Sequence, residues 1–356
     1  MPKIGVLTFH RCINYGSYWQ ARCLVEGLRA RGHDAVLLDH DSDRVNLAEW
    51  RCALRPVLPT AVPASDYRLY GDKIRAFFRA FAGLPLSRRF PLEDSSEMEP
   101  FDVVVVGSDE VWNLSHPWYG GYSLFFGHGV RAARLVSYAA SFGSYAAAEG
   151  LHPWWAGHLR RFDAVSVRDE NSRRLISESL ELDPELVLDP CLQFDLPPAD
   201  SPGPEVPVDA PYVAVYGHNF SGRFARRARR WARAHGYSLV SIGYRNDWAD
   251  AQWIAAGPHE FARFVGQAEA VVTNFFHGCV FALREGKPFV CEAPPYRSNK
   301  IRDLMAAIGG ERHVVAAQTA GTEYDAALSQ PLRPELLDRI ARLRRSADEY
   351  LDLALA

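Results

Sequence analysis

Short apolar runs alternate with stretches of helical spacing along most of this chain, and that alternation allows few folds. The clearest run is DVVVV at 102–106, where four successive valines fit a central parallel strand covered on both faces. Similar runs stand at 4–9, 35–39, 134–139, 164–168 and 186–188. Between them, 18–31 and 170–180 carry apolar residues at helical spacing, and Gly32 suits the end of the first helix. Strand–helix alternation predicts a doubly wound α/β sheet. A Pro-rich stretch interrupts it, with six prolines between Asp195 and Pro211. Proline cannot donate to a strand ladder, so this stretch reads as a linker. The alternation restarts beyond it: strands at 212–217, 238–243, 270–273 and 288–292, and helices at 222–236, 258–268 and from about 277 to 284. The reading is α/β with two Rossmann-like doubly wound domains facing a cleft. They are 1–195 and 212–330, joined by a linker at 196–211. A C-terminal helix within 331–356 is expected to pack back toward the first domain.

A length of 356 residues with 48% hydrophobic content supports two cores. The net charge of −3 provides no global basic field for nucleic acid. Six arginines in 223–236 read as a solvated helix face, the alternative being contact with an anionic lipid-linked substrate or a membrane surface. The six dispersed cysteines form no CxxC pair, so neither a zinc site nor a disulfide frame is expected. Together with an N-terminus that reads as a strand, and no apolar run long enough to span a bilayer, they suggest a cytoplasmic protein.

In a doubly wound sheet, ligands bind just beyond the carboxyl ends of the strands. After the first strand come Asn14 and Ser17, at the start of a helix suited to an anionic group. No GxGxxG dinucleotide fingerprint is present. After 102–106 come Gly107, Ser108, Asp109, Glu110 and Trp112. Arg168 ends another strand and offers a planar fork to a carboxylate or phosphate, the alternative being a salt bridge. After 270–273 come Asn274, His277 and Gly278 at a helix N-terminus, where phosphate binding is favoured. A histidine there can also move a proton near neutral pH, or simply cap the helix. Arg297, Lys300 and Arg302 add cations that read as a phosphate clamp or a solvated face.

GSDEVWN, SYAASFG, AVSVRDENS, LVLDPCL, AVVTNFFHGCVFALREGKPFV and SNKIRDLM occur in that order. This series resembles the motifs of the polysaccharide pyruvyl transferase family. The resemblance implies a GT-B-like fold. It also implies transfer of the enolpyruvyl carbons of phosphoenolpyruvate onto a sugar, usually as a cyclic ketal across two hydroxyls, without metal or organic cofactor. By resemblance, Arg168 and His277 are donor-site residues, with Lys300 or Arg297 supporting the phosphate and Asn274 and Gly278 beside them. Asp109 and Glu110 would orient or deprotonate an acceptor hydroxyl, near Asn14, Ser17 and Ser108. Trp112 would stack on a sugar face or pack in the core. The acceptor would be sugar-like, and lipid-linked in one version. Two departures stand out: family members commonly carry Gln at Glu110 and Ser at Phe275. They leave open a different acceptor, an enol ether product, or a member repurposed for small-molecule biosynthesis. A GT-B glycosyltransferase using a nucleotide sugar is the competing enzyme reading. A catalytically silent partner is the reading from another class, and retention of Arg168 and His277 counts against it.

Overall fold

The computed structural model describes residues 2–196, 206–293 and 298–356. The chain forms two compact units, Met1–Glu49 with Gly83–Pro197 and Ile340–Ala356, and Trp50–Ala82 with Pro198–Arg339.

The first unit holds a parallel sheet in the order Asp34–Leu37, Lys3–Leu7, Phe101–Val106, Ala132–Ser137. Val103 to Val106 are all buried, as a strand covered on both faces requires. From Lys3–Leu7 the chain goes first to one neighbour and later to the other. The topological switch therefore lies between the ends of Lys3–Leu7 and Phe101–Val106. Lone parallel bridges at Val136–Ala164 and Ala140–Val167 continue the layer toward Ser166–Val167. The end of the Pro334–Leu355 helix belongs to this unit. Its Tyr350 hydroxyl donates to the Ser137 carbonyl at 2.6 Å and Arg344 Nε to the Leu192 carbonyl at 2.6 Å.

The second unit holds six parallel strands in the order Ala251–Trp253, Ser238–Ile242, Tyr212–Tyr216, Ala270–Thr273, Phe289–Glu292, Val314–Val315. Its switch lies between Tyr212–Tyr216 and Ala270–Thr273. The Arg-rich Gly222–Ala234 helix buries Phe224, Ala228 and Trp231 and turns Arg226, Arg230 and Arg233 to solvent. No helix among the described residues is long and apolar enough to cross a membrane.

The domain expectation needs one correction. Residues 50–82, expected within the first domain, belong to the second unit. Lys73 Nζ donates to the Gly243 carbonyl at 2.9 Å, and Arg245 pairs with Asp66 at 2.9 Å. Most of the expected linker, from 197 to 205, lies outside the described residues.

Candidate functional site

At the first switch, Gly107 has φ +117°, and a Cβ there would overlap the Tyr138 carbonyl. Only glycine meets both demands. Thr8 Oγ1 donates to the Ser108 carbonyl at 2.8 Å, tying the two strand ends together. Asp109 follows with φ +77°, an uncommon conformation for a residue with a side chain. Its carboxylate accepts from Ser17 Oγ at 2.8 Å and from Arg168 Nη2 at 3.1 Å.

Arg168 Nη1 also donates to Asp189 Oδ2 at 3.0 Å, and the Arg168 and Asp189 side chains are 1% and 0% exposed. Burial alone would lower the Arg168 pKa, but the charges of Asp109 and Asp189 outweigh it and hold the guanidinium protonated. Arg168 is thus a buried bridge between two carboxylates. The salt-bridge alternative applies, although its partners are Asp109 and Asp189 rather than its chain neighbours. Asn14 caps the Tyr15–Ala30 helix, its Oδ1 accepting from Gly16 N at 2.8 Å and Ser17 N at 3.3 Å. Those two amides are therefore committed to Asn14. Glu110 is half-buried and accepts from Asn113 Nδ2 at 2.9 Å.

Of the expected acceptor contacts, Trp112 takes its packing alternative and Ser108 is corrected. Trp112 is 0% exposed, packs on Phe126, Phe142 and Phe162, and donates Nε1 to the Phe125 carbonyl at 2.8 Å. It cannot present a face to a sugar. Ser108 is fully buried and donates its hydroxyl to Gln20. One further carboxyl escaped the sequence reading. Glu49 accepts from Trp118 Nε1 at 2.7 Å and Ile13 N at 3.2 Å. Burial pushes its pKa up, and the Asp109 charge adds to the shift. No local signal marks Glu49, because its helix, Asp43–Leu54, was not recognised in the sequence.

At the second switch, Thr273 Oγ1 donates to the Tyr216 carbonyl at 2.6 Å and accepts from Phe275 N at 3.1 Å. Asn274 Nδ2 donates to the His218 carbonyl at 2.6 Å. Asn274 Oδ1 is buried and has no hydrogen-bond partner among the described residues. Gly217, at φ +146°, leaves the space that this oxygen occupies. The Phe276–Arg284 helix then begins, with half-buried His277 in its first turn and the two rings edge-on at 5.2 Å. At Gly278 a Cβ would overlap Thr273 Oγ1. The Gly278 amide donates to the Phe275 carbonyl at 3.0 Å. Gly278 is thus needed for close approach, and its amide is not offered to a phosphate as expected. Lys300 Nζ lies 5.8 Å from the Phe276 ring centroid. Arg297 lies outside the described residues.

The structure also gives Phe275 a physical role. Its ring meets Tyr216, His218 and Tyr244 edge-on at 5.0, 5.2 and 5.6 Å. A serine there would cap the helix, whereas Phe275 makes no side-chain cap bond. Behind this aromatic group, Lys73 Nζ sits 4.3 Å from the Tyr244 ring centroid, and burial pushes its pKa down to about 7.

Among solved structures, S. aureus MnaA with UDP aligns with TM-score 0.50 and 13% identity, over 98% of this chain and 91% of that chain. A putative UDP-N-acetylglucosamine 2-epimerase from Listeria monocytogenes gives 0.47 and 11%, over 100% and 92%. The glycosyltransferase SnogD from Streptomyces nogalater gives 0.44 and 13%, over 98% and 96%. At such identities the likeness is one of fold, and the fold is GT-B-like, with two Rossmann-like domains. No curated protein matches the chain. The family description "Polysaccharide pyruvyl transferase" matches residues 14–294, which include Asp109, Arg168 and His277. The chain belongs to the polysaccharide pyruvyl transferase family, and family membership makes it a transferase.

Proposed function

We propose that this protein transfers the pyruvyl group of phosphoenolpyruvate onto two hydroxyls of a sugar acceptor, forming a ketal and releasing phosphate. The observation that supports it most is the placing of Asp109 and His277. Each lies just beyond a strand at the switch of its own sheet, within the family-matched residues. In the proposed reaction His277 protonates the methylene carbon of the donor. The resulting oxocarbenium centre is attacked by one acceptor hydroxyl. The bond from that carbon to the phosphate oxygen then breaks, and a second hydroxyl closes the ketal. Of the two hydroxyl protons, one is balanced by the new C–H bond and the other leaves with phosphate.

Asp109 orients and deprotonates an acceptor hydroxyl in this scheme, with Glu110 beside it in the chain. Arg168 is a positioning residue. Each of its terminal nitrogens donates to one carboxylate, so in this scheme it fixes Asp109. Lys300 supplies charge for the leaving phosphate. No metal or organic cofactor enters the scheme. The test is incubation of the whole protein with phosphoenolpyruvate and a panel of diol-bearing carbohydrates. The expected result is phosphate release with a product heavier by pyruvic acid less water. Consumption of a nucleotide sugar, with phosphoenolpyruvate untouched by every acceptor, would overturn the proposal.

A further inference from the structure

Segment 50–82 of the second unit is basic in a chain that is slightly acidic. It carries six basic and two acidic residues, against a net charge of −3 for the whole chain. Both acids are paired, Asp66 with Arg245 at 2.9 Å and Asp72 with Arg75. Between the Asp43–Leu54 and Tyr67–Ala82 helices runs PVLPTAVPAS at 56–65, without a charged residue. Val57 in this stretch is 82% exposed, more than any other large apolar residue among those described. Water gains nothing from such a surface, so it points to an apolar medium that covers it.

An exposed aromatic ring and exposed arginines stand on each side of the loop. Trp50 precedes it, followed by Arg51 and Arg55, and Tyr67 succeeds it, followed by Arg68. The Arg55 guanidinium lies 5.4 Å from the Tyr67 ring centroid, so the two sides meet. Phe78, eleven positions beyond Tyr67, falls on the same exposed helix face, with Arg75 and Arg79 beside it. The acid nearest the loop is Asp247, which accepts from Thr60 Oγ1 at 3.3 Å and is paired with Arg245 at 2.6 Å. The arginines of the Gly222–Ala234 helix have no large exposed apolar residue on that helix to accompany them.

Tryptophan and tyrosine settle at the headgroup level of a bilayer, arginines meet anionic headgroups, and apolar side chains enter beneath them. We propose that segment 50–82 seats the protein on an anionic lipid bilayer. The 56–65 loop enters the boundary of the acyl chains. Trp50 and Tyr67 lie at the headgroups, and Arg51, Arg55 and Arg68 meet the anionic lipids. This surface lies on a membrane and does not span it. A nucleic acid would satisfy the arginines but offers Val57 no apolar medium. The proposal does not rest on the pyruvyl transfer reading, so it is tested by binding without turnover.

Flotation of the whole protein would compare vesicles of phosphatidylcholine mixed with phosphatidylglycerol against phosphatidylcholine alone. The protein should float with the mixed vesicles at low salt, less at high salt, and hardly at all with phosphatidylcholine alone. Val57→Asp should weaken binding about tenfold or more, since a charge replaces a side chain that enters the apolar layer. Arg51→Glu and Arg68→Glu should each weaken it about fivefold or more. All three positions are exposed, so each variant should unfold at the native urea concentration. His277→Gln should float like the native chain, which separates this surface from turnover. No flotation, equal flotation with both vesicles, or undiminished flotation of Val57→Asp would overturn the proposal. So would a dimer in light scattering that Val57→Asp dissolves, since a second copy would then cover the surface.

Discussion

Arg168 shows how a residue can be legible in a sequence while its partners are not. Its place at a strand end marked it. Asp109 and Asp189, the carboxylates that claim it, stand 59 and 21 positions away. Removing the guanidinium would strand both charges in a buried place, so Arg168→Ala should cost about 3–5 kcal/mol in urea unfolding. Arg168→Lys, with one charge and no fork, should recover part of that loss. Equal stability of Arg168→Ala and the native chain would remove the triad from the account. His40 contributes to behaviour in acid. Its Nε2 donates to the Thr8 carbonyl at 2.8 Å, and burial, with His10 nearby, pushes its pKa down to about 3. The unfolded chain takes up a proton near pH 6.5 that the folded chain refuses until about pH 3. Stability should therefore fall with acidification across that window, by up to about 1.4 kcal/mol per pH unit from this group. Urea midpoints measured through the window should show a shallower fall in His40→Asn.

The elements that carry the candidate site are the ones the sequence marked best. Valine-rich runs marked the Phe101–Val106 and Ala270–Thr273 strands, because a strand buried on both faces must be apolar throughout. The helices Asp43–Leu54 and Tyr67–Ala82 went unread, although Tyr70, Ile74, Phe77 and Phe81 keep helical spacing. Arginines and aromatics crowd their exposed faces and blur the pattern. The strands Ala251–Trp253 and Val314–Val315 are too short to show an apolar run. Gly278 tests how tightly the strand–turn–helix element is built. Gly278→Ala should displace Thr273, loosen its bond to Tyr216 and cost about 1–3 kcal/mol. Turnover should suffer more than stability, since His277 lies in the same turn. A variant with native urea stability and native turnover would show that the close approach is relaxed in solution.

For the whole molecule, the two-unit α/β architecture and the return of the C-terminal helix toward the first domain were expected from the sequence, whereas the passage of residues 50–82 into the second unit was not. Residues 50–82 and 340–356 are assigned by bonds that span great sequence distances, such as Lys73 to Gly243 and Tyr350 to Ser137. No local pattern reports such partners. Leu351, Ala354 and Leu355 are buried, each large side chain stabilising by about 1.5–3 kcal/mol. Truncation after Arg339 should therefore speed amide exchange in Phe101–Val106 and Ala132–Ser137, and unchanged protection there would contradict it. Pyruvyl transfer through a protonated methylene carbon is tested most directly by running the reaction in D2O, with phosphoenolpyruvate and an accepted carbohydrate, and reading the product by NMR. The expected product is a ketal whose methyl group carries one solvent deuterium, formed roughly 10²-fold more slowly by His277→Gln. A product that keeps its methylene group, or undiminished turnover with full labelling in His277→Gln, would contradict it.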